Sequence, residues 1–202
     1  MEETKIQLSA DELLLMQNSN WILTKNSIIE KISDGFGQLA AKMQETIMLN
    51  PLEYVEEISA GNPKISRGEK YESLPYVILD YPRIFGKADI LAIRTLFWWG
   101  NYCSITLHVK GDWQHRILKK FLTNPLCLPS DYYVSFSGNE WGHNLYHPDY
   151  YQLHQLSREE LLQKLPLSDF LKLTAKVEIG DWSVMEKELF KGFLSLIGLI
   201  QA

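Results

Sequence analysis

Two long β-forming runs, residues 90–99 and Tyr102–Lys110, are separated by nothing but Gly100 and Asn101. A chain that reverses over so short a link can pair those runs only as an antiparallel hairpin. Glycine in the first loop position suits a type II′ turn. With Gly100 and Asn101 as the loop, Trp99 opposes Tyr102. Trp98 then faces Cys103, Leu96 faces Ile105, Arg94 faces Leu107 and Ala92 faces Val109, all on one side. That side is almost wholly apolar and is expected to be the core face.

Arg94 falls in the middle of it. A buried guanidinium is costly unless paired, and its planar fork suits a carboxylate or an anionic ligand. The preceding strand, residues 76–81, puts Tyr76, Ile78 and Asp80 on one face, so Asp80 is the expected partner. Three readings stay open: an Arg94–Asp80 ion pair without chemical role, an anchor for a ligand carboxylate or phosphate, or a bulge that turns Arg94 outward. The opposite face of the hairpin would carry Ile93, Thr95 and Phe97 against Ser104, Thr106 and His108. An imidazole among hydroxyls is a candidate general base, or else a half-exposed strand residue.

A second candidate is the segment 137–154, which holds three of the five histidines with Glu140, Asp149 and several aromatics. His143 and His147 are four apart, a spacing that on a helix serves a metal. Gly142 and Pro148 argue against a helix there, so no metal site is expected. The segment is read as a pocket wall or a packed loop. Trp141 is expected to wall a pocket, Trp99 beside the turn to be a surface ring, and Trp98 to be core.

Ser-x-x-Glu capping boxes predict helix starts at Ser9/Glu12, Ser27/Glu30, Ser157/Glu160 and Ser183/Glu186. The first helix is expected over residues 10–18. A longer one should reach Leu49 before Pro51, with Ile28, Ile32, Leu39, Met43 and Ile47 on one stripe and a kink near Gly35 and Gly37. Residues 59–73, rich in turn formers, read as a long loop. Helices are expected at 112–123, 158–165 and 184–200, and strands at 132–137 and 171–179. The last helix is apolar almost all round, so it is either central to the core or half of an interface. Helices first, strands clustered in the middle and mixed elements after them predict an α+β fold with a mostly antiparallel sheet. We read residues 1–202 as a single domain, comprising a helical part (1–50), a sheet core (74–180) and a C-terminal helix (183–200).

A formal charge of −5 and a short basic stretch at Arg116, Lys119 and Lys120 disfavour nucleic acid. Cys103 and Cys127 lack metal or disulfide spacing and are expected to be small buried hydrophobes. The acidic N-terminus lacks a secretory h-region. Residues 189–200 are shorter than the roughly 20 apolar residues that span a bilayer, so no membrane partner is expected and the cytoplasm is the expected compartment. No phosphate-cradling glycine loop and no GxSxG elbow occurs. Two functional expectations remain. One is a pocket for a small anionic or aromatic molecule, with Asp80, Arg94, Trp99, Trp141 and His147 binding, His108 or His143 moving protons, and no cofactor assigned. The other is an interaction module, for instance a homodimer, associating through the apolar C-terminal helix.

Overall fold

The computed structural model describes residues 6–49 and 61–201. Its centre is a seven-stranded antiparallel sheet in the order β1-β2-β3-β4-β7-β5-β6. The strands are β1 (Lys64–Tyr71), β2 (Leu74–Phe85), β3 (Ile90–Trp98), β4 (Tyr102–Lys110), β5 (Tyr133–Ser135), β6 (Tyr150–Gln152) and β7 (Phe170–Glu178). Five α-helices accompany it: α1 (Ala10–Gln17), α2 (Ser19–Leu49), α3 (Asp112–Thr123), α4 (Arg158–Lys164) and α5 (Trp182–Gln201). The α+β class with a central antiparallel sheet is thus as expected. Pro51 and the start of the expected 59–73 loop lie outside the described residues.

The hairpin register is one residue away from the expected one. Trp98 pairs with Tyr102, Leu96 with Ser104, Arg94 with Thr106 and Ala92 with His108. The loop is therefore Trp99-Gly100-Asn101, with Gly100 in the left-handed region at φ 71°. Because side chains alternate with period two, this slip exchanges the partners of every β3 side chain. Leu91, Ile93 and Phe97 now share a face with Cys103, Ile105, Leu107 and Val109, and helices α2, α3 and α5 cover it as the main core. Arg94 lies on the other face, together with His108. That second face carries a smaller apolar cluster of Leu96, Trp98, Tyr102, Leu145 and Tyr150 beside a polar area.

Other expectations are corrected locally. Residues 64–71 form β1 rather than loop; as an edge strand exposed for much of its length, it has no need of apolar alternation. Strand β2 runs through Pro82, whose missing N–H falls where the β2–β3 register shifts between Asp80 and Arg83. Helix α2 continues unbroken through Ser27 and through both glycines. Its start is at Ser19, where Asn18 Oδ1 accepts from the Trp21 N–H. The boxes at Ser9 and Ser157 form as expected. At α5 the acceptor is Asp181, which takes the Ser183 N–H at 2.9 Å. Cys103 is buried, whereas Cys127 is exposed.

The C-terminal helix is consumed by its own fold. Leu189, Phe193, Leu196, Ile197 and Ile200 are buried against the first face of the sheet. Among the described residues no helix is long and apolar enough to cross a membrane.

Candidate functional site

The second face of the sheet carries two cross-strand rows of polar groups. Asp80, Arg94, Thr106, Thr174 and Tyr133 stand opposite one another across β2, β3, β4, β7 and β5. One row away, Ala92, His108 and Lys172 do the same. Directly opposed residues on one face lie roughly 5 Å apart at Cβ. His108 and Lys172 are consequently two basic side chains held side by side, and both are almost fully buried, at 3% and 1% exposure.

Arg94 is held from two directions. Its Nε donates to Asp80 Oδ1 at 2.7 Å and its Nη2 to Asp80 Oδ2 at 2.9 Å, a bidentate pair. Its Nη1 lies 3.0 Å from His143 Nε2. A guanidinium can only donate, so His143 must accept there, which makes its ring neutral with the proton on Nδ1. Burial, then the charges of Lys172, Arg94 and His108, hold the His143 pKa well below the ordinary imidazole range. Three of the five Arg94 N–H donors are thus engaged.

His108 has no such partner. Its Nε2 is buried and makes no hydrogen bond. Burial, followed by the charges of Lys172, Arg94 and Lys110, lowers its pKa to about 3. The rings of Trp141 and Phe170 flank it edge-on, with centroids at 5.3 and 5.9 Å. Lys172 is pushed down to about 7, by burial first and then by Arg94. Its ammonium donates to the Gly142 carbonyl and to Tyr150 Oη. Asp80 is the carboxylate paired with Arg94, and Lys172 has no carboxylate bonded to it.

The roof of this area is the segment between β5 and β6, bolted down by tyrosines. The Tyr102 hydroxyl donates to the His143 carbonyl and accepts from the Leu145 N–H, each at 2.7 Å. Tyr71 accepts from the His143 N–H at 2.7 Å, and Tyr150 donates to the Gly142 carbonyl at 2.6 Å. Burial raises the pKa of all three phenols, Tyr150 to about 12, so they stay protonated and able to donate. Trp141 precedes the bolted stretch. The residue is 46% exposed, and the Arg94 guanidinium carbon lies 5.8 Å from its ring centroid. Beyond it opens a cavity of about 600 Å³ whose lining includes Lys110, Glu140, Trp141 and Phe170. Trp141 and Phe170 therefore form the wall between this cavity and His108.

Of the residues singled out in the sequence, Asp80, Arg94, His108, His143 and Trp141 come together. Trp99 does not, for it leans on Phe97 on the first face. His147 does not either; it is half exposed and pairs with Asp149 at 3.4 Å. No three His, Cys, Asp or Glu side chains converge as metal ligands among the described residues. Sequence reasoning missed Lys172, Thr174 and the three tyrosine bolts. Lys172 alternates with Leu171 and Leu173 in an apolar strand, and that inward lysine was the available signal. A second cavity, of about 880 Å³, lies on the first face between α2, the hairpin loop and α5, and has no part in this cluster.

Comparison of the chain with family models, with curated proteins and with solved structures yields no match, so the geometry above is the ground for a functional reading.

Proposed function

We propose that the second face of the sheet binds a small molecule through an anionic group, a carboxylate or a phosphate, beneath Trp141. One observation carries the reading: the buried, unbonded His108 Nε2 stands beside Lys172, which lacks a bonded carboxylate, and only two aromatic rings separate it from a cavity. A buried polar atom without a partner costs about 1–3 kcal/mol, and an incoming anion would remove that cost while neutralising two basic neighbours. Rotation of the half-exposed Trp141 would join the 600 Å³ cavity to His108. Asp80 orients Arg94 and Arg94 fixes His143, which leaves two guanidinium N–H donors unengaged for a ligand. In a reaction, His108 is the proton carrier of choice, because His143 Nε2 is already occupied by Arg94.

Anion binding must raise the proton affinity of His108 and Lys172. Affinity is then highest below pH 7 and weakens by up to roughly tenfold per pH unit above it, as unliganded Lys172 loses its proton. Isothermal titration calorimetry with inorganic phosphate and with benzoate, at pH 6, 7 and 8 in buffers of different ionisation enthalpy, should show saturable binding with proton uptake. Lys172→Met should weaken the pH dependence of benzoate binding above pH 7, where benzoate itself does not titrate, and Trp141→Ala should change the rate of binding. Absence of saturation into the millimolar range for both anions, or binding that Lys172→Met leaves unaltered, would refute the proposal.

A further inference from the structure

The longest exposed apolar stretch among the described residues lies at the other end of the chain. Six large apolar side chains from Ile6 to Met16, and three more at Trp21, Ile22 and Leu23, are each between 40% and 87% exposed. Helix α1 buries none of its residues. At about 100° per residue, Leu13, Leu14, Leu15 and Met16 point to four different sides of it. Among the described residues, nothing in the fold covers this arm.

We infer that residues 6–24 form a self-association surface, covered by the same arm of a second copy. Three observations choose this occupant. Nine large apolar residues, each 40% to 87% exposed, offer on the order of 1,000 Å² per chain, against about 800 Å² per partner in a standard interface. From Ile6 to Thr24 the only charged residues are Asp11 and Glu12, so the arm has no cation for lipid headgroups or nucleic-acid phosphates. A flat membrane surface would also cover one side of α1 and leave the others wet. Full immersion would dehydrate Asp11 and Glu12, the latter engaged in the exposed capping box with Ser9. Two helix-turn-helix arms wrapped about a two-fold axis cover several sides at once and close the assembly. The inference is independent of the anion site, which lies on the sheet.

Size-exclusion chromatography with light scattering on the full chain, from micromolar to hundreds of micromolar, is the test. The mass should rise towards twice 23.4 kDa with concentration. Leu14→Glu with Leu23→Glu should hold the chain monomeric, weakening association on the order of a hundredfold or more, with an unchanged circular dichroism spectrum. Leu14→Ser with Leu23→Ser serves if the charged variant folds poorly. A strict monomer over the whole range overturns the inference. So does a dimer that survives either double variant, or a monomer that co-sediments with phosphatidylcholine vesicles.

Discussion

At the scale of single residues, the second face is governed by unequal numbers of positive and negative groups. Arg94 is matched by Asp80, and removing one member of so enclosed a pair leaves a charge without compensation. Asp80→Asn should therefore destabilise the fold by about 3–5 kcal/mol, whereas Asp80→Leu combined with Arg94→Met should recover most of that loss. Urea denaturation of the two variants beside the wild type checks it. Lys172 is the unmatched member. From its ordinary 10.5 down to about 7 the unfolded chain holds a proton that the folded one lacks, so stability rises with pH across that window and the full penalty is present below it. Lys172→Met should stabilise the protein at neutral pH by about 1–4 kcal/mol and flatten this rise. Gly142 would keep its bond from Tyr150, so the substitution leaves no carbonyl bare.

At the scale of elements, helix α2 shows how a residue's meaning depends on its neighbour. Gly35 and Gly37 are equally unfavourable in an isolated helix, and a kink was the natural expectation. In the fold the helix continues unbroken past both, with its apolar stripe at Ile32, Phe36, Leu39, Met43 and Ile47 buried along its length. The two glycines then part ways. A Cβ on Gly35 would lie 2.2 Å from the Trp182 ring at the start of α5, while one on Gly37 would meet nothing within 4 Å. Gly35→Ala should cost about 1–3 kcal/mol through overpacking, and Gly37→Ala should gain up to about 1 kcal/mol from helix propensity. Thermal unfolding of the pair separates the two effects, and a loss at Gly37 equal to that at Gly35 would count against this account. The capping boxes follow the same logic. Ser9 and Ser157 open helices, but Ser27 lies inside a helix already begun at Ser19, where a serine has no free N–H to cap.

At the scale of the whole molecule, the sheet separates a dry core from a layer of neutral histidines whose protonation the fold opposes. Between pH 6.5 and about 3 the unfolded chain protonates His108 while the folded chain does not, and His143, whose pKa burial holds well below the ordinary imidazole range, acts in the same direction. Each therefore removes up to about 1.4 kcal/mol of stability per pH unit as acid is added. Urea midpoints measured from pH 7 to pH 4 should fall more steeply for the wild type than for His108→Leu. Equal slopes would mean that His108 is not held neutral by burial. How much of this molecule could be read from its residues follows from the range of the forces involved. Local periodicity, two of the four capping boxes and the hairpin determined the α+β class, most elements and the closeness of Asp80 to Arg94, since those signals act over a few residues. The hairpin loop length, and with it the face on which Arg94 lies, was decided by tertiary packing. A two-residue and a three-residue link differ little locally, but only the latter aligns Ile93 and Phe97 with Ile105 and Leu107 beneath the helices. That choice also brought Arg94 and His108 together and set Lys172 beside them. Contacts between residues far apart in the chain, such as Tyr71 and Tyr102 with the His143 backbone, leave no periodic trace, so only the folded structure could disclose them.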